Sequence, residues 1–335
     1  MDSLSQLTLG AAVGVAVMGR RTAVWKAALW GAVAGTLPDL DAFIDQGDAV
    51  SNMTMHRSHS HGLFWLTLLA PLLGWLAARV HGQQEHWRRW GWAMWLVLVT
   101  HPLLDTMTVY GTQLLQPFSD HPFAVGSIFI IDPLYTLPLL VGTLVALSRR
   151  SHRGLGANAV GLALSSAYLA WSVAAQWHVR GVVEQQLAAR GAPAAQVLVT
   201  PAPLNTLLWR VVVLRDDAYE EGFYALADRG RPIRFDRFAR DAALRAQLQE
   251  VWAVQRMAWF SRGYFRLREE SGRAVLTDLR MGQEPGYVFS FLVARQQEGR
   301  WTSVTPRNIG WRGDTSRLLD WLGPRMLGQD VPEPR

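Results

Sequence analysis

Apolar positions dominate the first half of the chain in six blocks, at 7–19, 23–37, 63–80, 90–104, 128–147 and 157–176. A soluble bundle would show polar faces recurring at the helical period. "LFWLTLLAPLLGWLAARV" (63–80) has none. Crossing a bilayer as a helix takes about 20 apolar residues, range ~17–25. The third, fifth and sixth blocks meet that length. The first two are short, and fit thin spans, a re-entrant hairpin or buried helices. Beyond residue 177 the pattern changes. "QVLVT" (196–200), "LLWRVVVL" (207–214) and "YVFSFLVAR" (287–295) have strand character. The stretch 236–260 carries apolar residues at helical spacing, and "WHVRGVVEQQLAARG" (177–191) extends the last helix to Gly191. The predicted architecture is an α-helical multi-pass membrane domain (1–177) followed by a soluble α+β domain (178–335).

Composition and charge sharpen this picture. There are no cysteines, which excludes disulfides and Cys-ligated zinc. Tryptophans such as Trp25, Trp65, Trp87 and Trp171 lie within or at the edges of the apolar blocks, as interfacial aromatics do. The basic excess, 33 Lys+Arg against 27 Asp+Glu, sits mostly in the second half. Its densest run, "RGRPIRFDRFAR" (229–240), reads as a solvated face, so no direct nucleic-acid binding is expected. Among the loops, Arg20, Arg21 and Lys26, then Arg79, Arg88 and Arg89, then Arg149, Arg150 and Arg153 fall on alternate connections. The intervening loops 38–62 and 105–127 hold only Arg57. The positive-inside rule puts the basic loops in the cytoplasm. With all six blocks crossing, the C-terminal domain faces outward, in the periplasm. The start "MDSLSQ" is acidic and no small-residue cleavage site follows its apolar run, unlike a removable signal peptide.

The polar residues of those outward loops carry the candidate chemistry. "GTLPDLDAFID" (35–45) brings Asp39 and Asp41 to a membrane edge, where Pro38 and the i, i+2 spacing predict an extended turn with both carboxylates on one side. "MHRSHSHG" (55–62) spends three of the chain's nine histidines, His56, His59 and His61. His101 and Asp105 stand four apart and share a helical face. Asp132 interrupts an apolar run before Pro133, as a site residue or as a helix cap. Ionisable groups at membrane depth are costly, and are paired or face a cavity. Imidazoles with several carboxylates suit zinc, with manganese or iron as alternatives, and one or two ions. Spacing alone leaves two histidine pairs open. His56 and His59 share a face if the segment is helical; His56 and His61 meet only in a loop or helix start.

Four segments, "PDLD" (38–41), "HRSHSH" (56–61), "HPLLDTMTVYGTQLLQPFS" (101–119) and "IIDPLYTLP" (130–138), resemble the YdjM-type membrane-bound metal-dependent hydrolases, described as LexA-binding and inner-membrane-associated. The resemblance spans roughly residues 7–150. That family usually reads His-Arg-Gly-x-Thr-His; here Ser58 replaces the glycine and His59 fills the variable position. The resemblance therefore favours His56 with His61 over His59. It implies a metal site built from Asp39, Asp41, His56, His61, His101 and Asp105. In that reading Asp39 serves as general base and Arg57 clamps a phosphate or carboxylate, unless Arg57 pairs with a structural Asp. Thr108, Tyr110 and Ser119 offer orienting hydroxyls. The expected activity is hydrolysis of an ester or phosphoester of a lipid-associated or periplasmic substrate at the inner membrane. A non-catalytic metal-stabilised scaffold or transporter component is the alternative. A LexA-type partner follows only from the family label, and would need the cytoplasmic loops 79–90 or 149–156.

Overall fold

The computed structural model describes residues 1–149, 152–191, 196–311 and 313–334. Its helices in the first half are α1 (Ser3–Met18), α2 (Val24–Thr36), α3 (Ala49–Met55), α4 (Leu63–Val80), α5 (Trp87–Thr106), α6 (Pro133–Arg149) and α7 (His152–Ala189). Each apolar block thus becomes a helix. Among the described residues two helices are long and apolar enough to cross a membrane, at Leu63–Val80 and Arg153–Ala189, whereas Ser3–Met18 and Pro133–Arg149 are shorter. The chain forms two compact units. One holds Met1–Ile44, His56–Val173 and Pro203–Asn205; the other holds Asp45–Met55, Ala174–Ala202 and Thr206–Arg335.

In the first unit, small side chains let the helices approach closely. Gly10 and Gly14 of α1 face Gly31 and Gly35 of α2, each pair one turn apart. A Cβ on Gly31 would fall on the carbonyl oxygen of Gly10, and one on Gly14 on that of Ala27. Trp90, Met94, Val97 and Leu98 of α5 fill the centre beside Val15, Met18 and Leu139. The outer faces are apolar as well: Leu68, Leu72, Trp75, Leu137, Val141 and Leu164 are all exposed. The polar groups between helices are satisfied locally. Asn158 Nδ2 donates to the Ala12 carbonyl at 2.9 Å, and Ser165 Oγ to that of Tyr135 at 2.7 Å. Asp132 is such a group, and caps α6. Its Oδ1 accepts from Leu134 N at 3.0 Å and its Oδ2 from the Tyr168 hydroxyl at 2.8 Å.

The second unit is sheet-rich. Strands β1 (Gln196–Pro201), β2 (Leu208–Leu214), β3 (Ala218–Ala225) and β4 (Phe235–Ala239) form an antiparallel sheet in that order. Helices α8 (Ala242–Leu248) and α9 (Trp252–Phe260) follow. Then β5 (Phe265–Glu270), β6 (Arg273–Asp278), the short pair β7 (Gly282–Gln283) and β8 (Gly286–Tyr287), β9 (Ser290–Gln297) and β10 (Arg300–Asn308) precede α10 (Thr315–Met326). The second four-stranded sheet runs β10-β9-β6-β5. Ala175, Val179, Val183 and Leu187, four apart on α7, pack against Val199, Trp209, Val211 and Val213. The "LWRVVVL" run of β2 is buried on both faces, which explains its lack of alternation.

The helical reading of 236–260 holds only for its later part. Residues 236–239 pair with β3, Tyr219 opposite Phe238 and Glu221 opposite Asp236. Asp241 marks the true start, its Oδ1 accepting from Leu244 N at 2.8 Å as an N-cap. Everything before that cap was free to join the sheet edge.

Candidate metal centre

Four segments of the first unit converge on one point. Residues Pro38–Phe43 form a 3₁₀ turn at the end of α2, not an extended one. Pro38 opens it without needing a backbone donor. In that tight helix, side chains two apart diverge, so Asp39 and Asp41 face different partners. A second 3₁₀ turn, His59–His61, precedes α4. The third segment is the end of α5, with His101 and Asp105 one turn apart, both buried. Gln6 of α1 supports them from behind. Its Nε2 donates to Asp105 Oδ1 and to the His101 carbonyl, each at 3.1 Å.

Asp39, His61, His101 and Asp105 each offer one ligand atom, all within 4.8 Å of one another. His61 Nε2 lies 3.1 Å from His101 Nε2, 3.2 Å from Asp105 Oδ2 and 3.5 Å from Asp39 Oδ1. His101 Nε2 lies 3.4 Å from Asp105 Oδ2 and 3.5 Å from Asp39 Oδ1. A tetrahedron with zinc–ligand bonds of 2.0–2.1 Å has edges of about 3.3–3.4 Å. These five separations match that figure.

The protonation pattern points the same way. His101 Nδ1 is 2.7 Å from the Gly35 carbonyl, which can only accept, so Nδ1 carries the proton. Ser60 Oγ spends its proton on Asp41 Oδ2 at 2.5 Å, and so accepts from His61 Nδ1 at 2.9 Å. Both Nε2 atoms are thereby left as lone pairs facing each other. Asp105 repeats the asymmetry. Its Oδ1 meets the Met1 amine, Gln6 and the Arg57 Nη2 at 3.2 Å, while its buried Oδ2 has no hydrogen-bond partner among the described residues. An unpaired buried carboxylate oxygen is expensive unless a cation meets it. The residues present fit a divalent ion.

Two of the six expected ligands stand one layer back. His56 Nδ1 is 2.7 Å from Asp41 Oδ1, and Asp41 Oδ2 accepts from the Arg57 amide at 2.9 Å. Asp41 therefore holds the histidine turn in place, with its Oδ2 3.7 Å from His61 Nδ1. His59 is exposed and meets only Ser58 Oγ among these groups, at 3.1 Å. The helical His56–His59 pair does not form, because α3 stops at Met55 and Arg57 takes a left-handed φ of 62°. Non-glycine residues pay for that conformation unless the surroundings fix it. Here the Arg57 carbonyl accepts from Gln113 N at 3.0 Å while its amide is held by Asp41.

A clamp for a phosphate or carboxylate would leave the Arg57 guanidinium open to the site. Arg57 is buried instead, its guanidinium on Asp105 Oδ1, 3.3 Å from Thr108 Oγ1 and over the Tyr110 ring at 4.8 Å. The pairing with an Asp is the one observed. Thr108 and Tyr110 thus serve Arg57, and Ser119 accepts from His121 N at 3.3 Å, apart from the cluster. Gln6 escaped the sequence reading. A lone amide at the head of an apolar block was its signal, but its partner is almost a hundred residues away.

A family model described as YdjM inner membrane protein matches residues 1–179. The uncharacterized protein YfhP of Bacillus subtilis (strain 168) is 29% identical over 143 residues, covering 40% of this chain. The match spans 42% of the length of YfhP. No solved structure matches.

Proposed function

The chain belongs to the YdjM inner membrane protein family, and from that membership and the buried donor set we propose that it is a membrane-bound, metal-dependent hydrolase of esters or phosphoesters. The carrying observation is the pair of facing imidazole lone pairs with an unpartnered Asp105 oxygen beside them. His61, His101 and Asp105 would hold the ion, zinc by its donor chemistry, with manganese or iron as alternatives. When bound, such an ion supplies Lewis acidity to a scissile carbonyl or phosphoryl oxygen and acidifies water. Three firm protein ligands with one open position is the arrangement of catalytic sites. Asp39 stands at that position. It makes the longest edges of the set, and its side chain alone is partly exposed, so it is the group that can receive a proton from an attacking water. Arg57 and Gln6 fix the Asp105 rotamer, and Asp41 with Ser60 fixes His61.

The same four donors would also close a tetrahedral shell, which favours a second reading as a metal-stabilised scaffold without turnover. Asp39→Asn separates the two. In a hydrolase the variant keeps its metal and loses turnover; in a scaffold it loses metal and stability together. A screen of ester and phosphoester substrates on detergent-purified, metal-loaded protein gives the readout.

The apolar exteriors of the first unit and the alternation of basic loops support a multi-pass inner-membrane domain with the C-terminal domain in the periplasm. Reporter fusions at the C-terminus test that arrangement. Activity of a cytoplasm-dependent reporter there would mean that one of the short helices does not cross.

A further inference from the structure

Access to the cluster is one-sided. The side chains of His61, His101 and Asp105 are at most 1% exposed, while that of Asp39 is 20% exposed. Whatever reaches the centre arrives past Asp39. The 3₁₀ turn that carries Asp39 also carries Leu40 and Phe43, with Ile44 directly after, and all three are exposed. Phe43 is 87% exposed. The histidine turn is joined to this one by the Ser60–Asp41 hydrogen bond. Directly after it, at the start of α4, lies a second apolar group. Phe64 meets Phe118 with ring centroids 5.3 Å apart, and Phe118 is 78% exposed beside the exposed Leu115. From there the exposed apolar face continues along α4 through Trp65, Leu68 and Leu72, on a helix long enough to cross a bilayer.

An exposed apolar patch of this kind marks a membrane or binding surface. Its continuity with the outer face of α4, in an inner-membrane protein family, selects the bilayer as what covers it. We propose that the mouth of the metal centre lies in the acyl phase of the membrane, and that its substrate is a lipid whose headgroup linkage is presented past Asp39. The most exposed side chains of the turns flanking the centre include two phenylalanines, Phe43 and Phe118. The substrate class rests on the hydrolase reading above, whereas the position of the rim does not.

The absence of cysteines makes the test direct. Phe43→Cys and Phe118→Cys, each carrying a nitroxide label, would be placed in phospholipid nanodiscs with Arg300→Cys, exposed in the second unit, as the aqueous control. Relaxation by dissolved oxygen is expected to exceed relaxation by a water-soluble nickel chelate at both rim sites, and the reverse at the control. Metal-loaded wild type is then compared on long-chain phosphatidic acid in the bilayer and on water-soluble glycerol phosphate and short-chain esters. A preference of about 10-fold or more for the lipid supports the proposal, a value that the transfer of a few methylenes readily supplies. Rim labels reached by nickel as readily as the control overturn it, even if soluble esters are cleaved and the hydrolase reading stands. Lipid-facing labels with equal or faster cleavage of soluble esters overturn the choice of substrate. Lipid-facing labels with no cleavage of any substrate overturn the hydrolase reading and support the placement of the rim.

Discussion

His61 and His101 hold their Nε2 atoms 3.1 Å apart while each commits its Nδ1 proton elsewhere, to Ser60 Oγ and to the Gly35 carbonyl. Two lone pairs so placed repel each other unless a cation lies between them. The purified protein is therefore expected to carry about one ion per chain, since one four-donor group forms among the described residues. Elemental analysis checks the number. A His101→Ala/Asp105→Ala double variant should lose the ion, and a folded wild type that takes up no added metal would remove the site.

The three histidines of "MHRSHSHG" should behave differently. His61→Ala deletes a donor and should abolish tight binding. His56→Ala removes a group that acts through Asp41, and should weaken metal affinity about 10–100-fold. His59→Ala, on an exposed side chain, should change it little. Competition titrations against a chromogenic chelator give all three values side by side. Equal losses at His56 and His61 would mean that His56 enters the coordination shell.

Much of this was legible in the chain because the constraints were local. Helix positions follow from apolar runs, and His101 with Asp105 follows from their four-residue spacing on α5. The division of six candidates into ligands and holders was not legible. It depends on Pro38–Phe43 winding into a 3₁₀ turn, which sends Asp39 and Asp41 apart, and on the left-handed Arg57, which turns its guanidinium inward. Both are settled by contacts with Gln113, Ser60 and Asp105, distant in sequence. The strand at 235–239 was hidden for the same reason, since pairing with β3 overrode a helical apolar spacing.

Alkaline pH should loosen the second unit. Burial pushes the Tyr264 hydroxyl up to about 12, and burial raises Tyr219 and Tyr287 well above the ordinary tyrosine value, with nearby Arg266 and Arg210 opposing it. For a group raised in the folded state, the unfolded chain binds fewer protons once its own pKa of about 10 is passed. The stabilisation is complete below pH 10 and is lost as pH rises through 12. Urea midpoints measured between pH 8 and 11.5 should fall only above 10. Tyr264→Phe should flatten part of that fall.

Gly31 ties helix packing to the metal site. A Cβ there would fall on the Gly10 carbonyl, so Gly31→Ala must push α1 and α2 apart. One turn further along α2, Gly35 supplies the carbonyl that fixes His101, and a Cβ on Gly35 would lie 2.9 Å from the carbonyl oxygen of Gln6. Gln6 in turn holds Asp105. Separating the helices therefore disturbs one ligand histidine and one ligand carboxylate at once. The variant should lose about 1–3 kcal/mol of stability, the usual cost of overpacking. It should also bind metal more weakly, although residue 31 touches no ligand. Gly91→Ala, where the added Cβ meets open space, is the control and should leave both properties near wild type. Thermal denaturation with and without added zinc separates the two effects. If Gly31→Ala lowers the midpoint in metal-free protein but keeps the full zinc-induced increase, then the crossing of α1 and α2 stabilises the fold without setting the geometry of the site.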